Sequence, residues 1–243
     1  MRPDTWQMFA NPAILRFFGQ GLLETLSLSV AAVLLSFAVG LLFALGRLSS
    51  HWWIRWPSIA YIESVRALPV LLLIVYLGIK GTALFRPLFG EGFELSRYWA
   101  GVLGLSLYTS AILAEIIRAG IVSLPRGQTE ASRALGLSHA QSMRHVILPQ
   151  ALRLMVPAMM AQLTTIIKDT SLVGTIGVSE LVRQGRVIYT QFFNPIEVFL
   201  FVAVIYFVIC FALSQGSRRL EVGGAPRAAQ RKVQEVLLRD SAA

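Results

Sequence analysis

Residues 25–46 carry no charged side chain, and neither do residues 198–217. Each run has about the roughly 20 residues that a helix needs to cross the hydrocarbon of a bilayer. A helix apolar on every face has no side to turn to water, so two such runs exclude an ordinary soluble domain. The composition agrees: 55% of the residues are hydrophobic and only 14% charged, against about 25% charged in soluble domains. Disorder and a secreted disulfide scaffold are excluded with it. The single cysteine, Cys210, sits inside an apolar run, so no internal disulfide is possible. A net charge of +9 would suggest nucleic acid in a soluble protein. Here it reads as basic loops facing anionic lipid, with the membrane as partner and no nucleic acid.

A shorter run, 98–114, ends at Glu115 and Arg118, and two more are interrupted. Residues 57–79 contain Glu63 and Arg66, and residues 154–177 contain Lys168 and Asp169. The expected fold is all-α and polytopic, with about five transmembrane helices near 22–46, 57–79, 98–117, 154–177 and 197–217. They form a membrane domain over 1–220, with a cytoplasmic loop at 118–153 and a cytoplasmic tail at 221–243. Asp4 and Pro3 stand where a signal peptide has its basic segment, and no cleavage site follows, so the first apolar run is expected to be retained. An odd number of spans puts the two ends on opposite sides. With the C-terminus inside, the inner segments hold thirteen basic residues: Arg47, Arg55, five in 118–153 and six in 218–239. The outer segments hold seven: Arg2, Arg16, Lys80, Arg86, Arg97, Arg183 and Arg186. That bias places the N-terminus outside and the C-terminus in the cytoplasm. The tail reads as a flexible extension with a short amphipathic helix over 228–238, suited to lipid contact.

An ionisable group in hydrocarbon costs at least about 2.5–3.5 kcal/mol, so the charges within spans must face protein or a water-filled path. Glu115 and Arg118, like Glu63 and Arg66, are three residues apart and can pair on one helix face. Two readings stay open for each pair: a lining of the path, or else a helix end at the headgroups for Glu115 and Arg118 and an amphipathic turn at the helix start for Glu63 and Arg66. Lys168 and Asp169 are neighbours that cannot face each other on a helix, and they follow the uncharged stretch 154–167. Thr170 and Ser171 can satisfy backbone groups where the helix loosens, and Gly174 and Gly177 follow. A gate or pathway role accounts for this segment better than simple contact between helices. Tyr108, Thr109 and Ser110 form a further polar patch that can line a path.

The segment 118–153 is too long for a plain connection, since helix connections usually take about 2–8 residues. Pro125-Arg126-Gly127 predicts a turn, and Thr129 a cap for a helix over 130–135, with Gly136 as its left-handed terminator. Ser138 predicts the cap of a second helix that stops before Pro149. Met143, Val146 and Ile147 share an apolar face on it. Such a hairpin suits a docking surface for another protein, although a tether or a lipid-surface helix has the same pattern.

At this segment the sequence resembles the membrane subunit of an ATP-binding cassette importer. The family's loop motif, Glu-Ala-Ala with a later glycine and a Leu-Pro, matches Glu130-Ala131-Ser132, Gly136-Leu137 and Leu148-Pro149, with Ser132 in place of the second alanine. Ser64-Val-Arg66-Ala-Leu-Pro69, Ala114-Glu115-Ile-Ile-Arg118, Arg126-Gly127-Gln128, Leu148-Pro149-Gln150-Ala151 and Lys168-Asp169-Thr170-Ser171-Leu172 resemble the polar amino acid permease branch. The likeness covers about 21–220. It implies a type I importer permease of the bacterial inner membrane, paired with an identical or related permease subunit. It further implies two cytoplasmic ATPase subunits docked on the hairpin (Glu130, Ala131, Ser132, Gly136, Leu137 and Pro149) and an extracytoplasmic solute-binding protein. Arg66, Pro69, Glu115, Arg118, Lys168, Asp169, Thr170 and Ser171 are the expected translocation path or gate. The substrate implied is a polar amino acid, glutamate/aspartate or glutamine-like, with Gln141-Ser142-Met143 and residues 115–120 and 205–209 resembling glutamate/aspartate permeases in particular.

The chain contains no G-x-x-x-x-G-K-[ST] phosphate loop, and none of its lysines (Lys80, Lys168, Lys232) follows a glycine. No enzymatic activity, metal or bound cofactor is expected of it, and ATP is expected to be used by partner subunits. A self-contained secondary transporter would show internal repeats of its spans, and none is evident. A scaffold without transport would leave Lys168, Asp169 and the capped hairpin unexplained.

Overall fold

The computed structural model describes residues 6–222, which are nearly all helical, with no strand among them. α1 (Pro12–Leu48) opens at Asn11, whose side chain accepts the Ala13 N–H at 2.9 Å, and Pro12 takes the first position, where its missing N–H is harmless. At 37 residues α1 is about 55 Å long, so it overhangs the span expected at 22–46. Beside Ile14, Phe18 and Leu28, its buried face carries a run of small residues, Gly21, Thr25, Ser29, Ala32, Ser36, Gly40 and Ala44. Their spacing of three or four keeps them on one stripe. α4 (Arg97–Val122) lies along that stripe and is the centre of the bundle, packing also on α2, α3 and α7. Ser106 Oγ donates to Ala32 O at 3.3 Å, and Ser36 Oγ to Ser106 O at 3.4 Å. Small side chains bring the backbones this close, which is how helices associate when lipid removes the hydrophobic drive between them.

The expected second span, 57–79, is not one helix. α2 (Trp52–Ala67) and α3 (Val70–Phe89) divide it at Leu68, extended at φ −93° and ψ 142°, because Pro69 bars its predecessor from helical angles. α3 runs antiparallel to α4, and Gly104 makes the contact possible. A Cβ there would lie 2.9 Å from Ile74 Cα, a backbone atom with no room to yield.

α5 (Arg126–Ala134) is followed by the short helix α6 (His139–Ser142), a π-turn at Met143–Ile147, and α7 (Leu148–Asp169). The expectation that the second hairpin helix stops before Pro149 is corrected. The helix passes through the proline because the Leu148 N–H donates to Met143 O, five residues back. A π-turn moves the carbonyl that a proline ring would otherwise strike. The stretch His139–Ile176 is therefore one continuous helical rod of 38 residues. Much of the expected loop 118–153 and the start of the fourth span belong to a single body. Above Asp169 the rod tightens to a 3-10 turn, Thr170–Ile176, and Gly177 ends it at φ 97°.

Residues between the last two expected spans form α8 (Leu181–Phe192), an amphipathic helix whose buried face is Leu181, Gln184, Gly185 and Ile188. α9 (Pro195–Val222) completes the bundle. Among the described residues, five helical stretches are long and apolar enough to span a bilayer: Pro12–Leu48, Val70–Phe89, Arg97–Val122, His139–Ile176 and Pro195–Gly216. At the end opposite the hairpin, Phe9 and Phe18 pack with tilted rings against Phe201 of α9, at centroid distances of 4.5 and 5.0 Å. The helix expected over 228–238 lies outside the described residues.

Candidate functional site

The hairpin's two arms are pinned by a pair of buried hydroxyls. Ser132 Oγ donates to Thr129 O at 2.8 Å and is hydrogen-bonded to Ser142 Oγ. The serine that departs from the family's second alanine is thus the link between α5 and α6. Thr129 does not cap α5 as expected: the helix starts three residues earlier, at Arg126 behind Pro125, which leaves Thr129 inside it. Gly136 takes φ 83°, the left-handed conformation expected of it, and the Leu137 N–H reaches back to Ser132 O at 3.2 Å. Ser138 caps α6 in a full capping box: the Gln141 N–H donates to Ser138 Oγ at 3.3 Å, and the Ser138 N–H to Gln141 Oε1 at 2.9 Å. Glu130 and Ala131 are exposed, Leu137 is half-buried, and Leu135 at the tip is 83% exposed. Pro149 lies apart from the tip, in the first turn of α7, where Gln150 ties the rod to α5 by donating to Gln128 Oε1 at 3.3 Å.

At the other end of the same rod stand Lys168, Asp169, Thr170 and Ser171. Lys168 is exposed, Asp169 and Ser171 are half-buried, and Thr170 is buried. The Thr170 and Ser171 hydroxyls donate to Ile167 O at 2.6 Å and Lys168 O at 2.7 Å. These bonds satisfy carbonyls that the change from α to 3-10 geometry would strand. The break at Leu68–Pro69 lies beside this one. Val70 and Leu172 pack at the edge of one core cluster, around Leu28, Ile74, Val102, Leu105, Ile166 and Val173. Pro69 caps α3 without a side-chain bond, and Arg66, one turn earlier, is exposed.

Glu115 and Arg118 fall into a different group. They pair with each other, as their spacing allows, and Arg47 at the end of α1 joins them, with Nη1 at 3.1 Å from Glu115 Oε2 and 2.9 Å from Glu63 Oε1. The pairs tie α1, α2 and α4 together at the hairpin end of the bundle. Arg47 closes the first uncharged run in the sequence, a position that carried the signal for a helix end and not for this bridge. Thr109 and Ser110 of the expected polar patch are buried against helices. Ser110 Oγ meets the Tyr61 hydroxyl at 2.7 Å, so this part of the patch joins α2 to α4.

Glu180 had no signal in the sequence beyond its place before the apolar spacing of α8. It is fully buried, and its carboxylate accepts the Val182 and Arg183 N–H groups at 2.8 and 2.7 Å and the Tyr206 hydroxyl at 3.5 Å. Burial pushes its carboxyl above the usual range, against the opposing pull of the two N–H groups. The neighbouring Leu181 N–H donates to the buried Thr25 Oγ1 at 3.1 Å, and Arg183 Nη1 to Gly174 O at 3.3 Å. This junction fixes α1, α8, α9 and the 3-10 turn that follows Asp169.

A family model described as a binding-protein-dependent transport system inner membrane component matches residues 18–221. The chain belongs to this family. The Probable glutamine ABC transporter permease protein GlnM of Bacillus subtilis is 34% identical, over 83% of this chain and 90% of that protein. The Glutamate transport system permease protein GluD of Corynebacterium glutamicum is 34% identical, over 90% of this chain and 76% of its own. The Arginine ABC transporter permease protein ArtQ of Haemophilus influenzae is also 34% identical, over 82% and 90%. Among solved structures, an amino acid ABC transporter with histidines superposes at a TM-score of 0.80 with 34% identity, covering 91% of this chain and 99% of the other. A MetNI methionine ABC transporter in inward-facing conformations shares the fold at a TM-score of 0.72 and 22% identity. The all-helical permease fold of a type I importer, expected from the sequence, is the fold observed.

Proposed function

We propose that this chain is the membrane-spanning subunit of an ATP-driven importer of polar amino acids, which couples ATP hydrolysis in partner subunits to a path through the bilayer. The observation that carries the mechanism is the continuous rod His139–Ile176. From the hairpin to Lys168 it extends roughly 45 Å at 1.5 Å per residue. ATPase subunits closing on the exposed face of Glu130, Ala131 and Leu135 would push one end of a stiff body whose other end carries Lys168, Asp169, Thr170 and Ser171. Alternating access then follows from the rod pivoting on its 3-10 end, where the Glu180 junction ties it to α1, α8 and α9. Its hairpin end rocks against α4, and the path opens or closes beside the break at Arg66–Pro69. Glu115 and Arg118 act in this reading as a brace at the inner mouth of the path.

The remaining assignments follow the same reading. The hairpin faces the cytoplasm, which puts the N-terminus outside and the C-terminus inside. The partners are two ATPase subunits, an identical or related permease and an extracytoplasmic binding protein that delivers the substrate. The chain itself holds no cofactor. Relatives named for glutamine, glutamate and arginine support a polar amino acid. Of these, glutamate/aspartate or a glutamine-like side chain suits the cations Arg66 and Lys168 best.

The test is co-purification of the ATPase with wild type, Glu130→Arg and Gly136→Arg, together with hydrolysis stimulated by the binding protein. Both readouts should collapse in the variants while the permease remains folded. ATPase association at the wild-type level in both variants would make the hairpin a tether and remove the coupling assignment. Lys168→Ala and Asp169→Asn should keep the ATPase and lose uptake of radiolabelled glutamate or glutamine.

A further inference from the structure

At the hairpin end, beside the ion pairs, the end of α1, the start of α2 and the end of α4 border an open-sided cavity of about 380 Å³. Arg47, Arg55, Arg118 and Ser49 line it, with Leu48, Ile59 and Val122 as its apolar part and no carboxylate among the lining residues. We propose that this cavity binds the phosphate of an anionic phospholipid headgroup.

Three features converge on that ligand. First, Glu63 and Glu115 lie behind the cavity and hold two of its arginines in place. Their bonds use only Nη1 of Arg47 and Nε and Nη2 of Arg118. A guanidinium has five N–H donors in a planar fork that matches phosphate oxygens in pairs, so each fixed arginine keeps donors for a second anion. Second, Arg55 is exposed on the first turns of α2, and no ion pair engages it among the described residues. Two arginines fixed by carboxylates and a third held by none leave the wall of the cavity cationic. Third, Trp52, Trp53 and Trp56, all exposed, surround Arg55 in the sequence. Tryptophan indoles collect at the headgroup layer of a bilayer, with the ring in the apolar zone and the N–H toward water. They put the mouth of the cavity at the depth of a lipid phosphate. Ile59 and Val122 then offer apolar surface to the glycerol and first methylenes, which a free inorganic ion would leave unused.

The inference needs only that the chain spans a bilayer, and it is independent of which amino acid is carried. It is tested by titrating the full-length chain with phosphatidylglycerol and with phosphatidylcholine, counting bound lipids by native mass spectrometry. Phosphatidylglycerol should bind wild type about tenfold more tightly than phosphatidylcholine, and Arg55→Gln should lose about tenfold for the anionic lipid alone. Arg153→Gln removes an equal charge from the exposed side of α7, outside the cavity, and should keep the wild-type affinity. Equal binding of the two lipids would overturn the proposal. Equal losses in Arg55→Gln and Arg153→Gln would also do so, by showing diffuse attraction in place of a site. Millimolar inorganic phosphate that displaces the lipid from wild type would overturn the lipid assignment in favour of a soluble anion.

Discussion

The two ends of the bundle hold charge among apolar neighbours by opposite means. At the hairpin end, Arg47 bridges Glu63 and Glu115, and Arg118 closes on Glu115, so carboxylates are matched by cations. The side chains there are 19% exposed at Arg47, 23% at Glu115 and 53% at Glu63. At the far end Glu180 is fully buried, and its bonds come from the first N–H groups of α8 and a tyrosine hydroxyl. Near water a full opposite charge is cheap to bring close, and salt screens the pair. In the interior a helix N-terminus supplies partial positive charge with no second ion to desolvate. The mechanical consequence differs as well. Pairs that reach water in this way can part and re-form as the hairpin moves, whereas the Glu180 junction clamps α1, α8, α9 and the 3-10 turn into one body.

Glu180→Ala should therefore have the largest effect. It strands two N–H groups and a hydroxyl in a buried site, at about 1–3 kcal/mol each. Loss of the buried carboxylate's desolvation offsets part of this, leaving a net cost of about 2–3 kcal/mol in chemical unfolding of the detergent-solubilised protein. The same group sets a pH dependence. Because its folded pKa is raised, at pH values between the ordinary and the raised pKa the native state holds a proton that the unfolded chain has released. Its contribution to stability is full below the ordinary value of 4.5 and is lost as pH rises through the raised value. Stability of wild type minus that of Glu180→Gln should accordingly fall as pH climbs above 4.5 and through the raised value. A flat difference would mean that the carboxylate is solvated and that the two ends do not differ in the way described.

How far the sequence displays these two regions depends on how local their chemistry is. The uncharged runs announce α1 and α9 because hydrocarbon thickness fixes helix length. Gly136 and Ser138 are legible because a left-handed turn and a cap involve only neighbours in the chain. Pro149 misleads for the same reason: read locally it ends a helix, and only the π-turn formed upstream lets the rod continue. Pro69 misleads the other way, since a hydropathy window averages across the break it makes. The Ser132–Ser142 link, the Arg47 bridge and the Glu180 junction join residues from different elements, so no periodicity reveals them. α8 is only weakly marked in the sequence because Gln184 and Gly185 occupy half of its buried face, in place of aliphatic residues.

At the hairpin end the effects should be smaller and should respond to salt. Arg47→Ala removes the cation common to Glu63 and Glu115 but leaves Arg118 on Glu115, which limits the loss to about 1 kcal/mol. Chemical unfolding at low ionic strength should show it. Raising the salt to about 0.5 M, where the Debye length falls below about 5 Å, should shrink the gap from wild type. The Glu180→Ala deficit should be unmoved by the same change, since no ion pair is lost with it. Equal salt responses would place both regions in the same dielectric.

Glu63→Gln is the smallest perturbation. Its carboxylate is more than half exposed and meets only one atom of Arg47, at 2.9 Å. An exposed pair of this kind contributes roughly 0–1 kcal/mol, and water competes for both partners. The variant should lie within about 0.5 kcal/mol of wild type, and Arg47 should keep its contact with Glu115. A double-mutant cycle of Glu63→Gln with Arg47→Ala isolates the pair. A coupling above about 1 kcal/mol would show that Glu63 is held far more rigidly than its exposure implies. The hairpin end would then be a clamp like the far end, and the rod would have to hinge elsewhere, at Pro157 or at the π-turn that lies between α6 and α7.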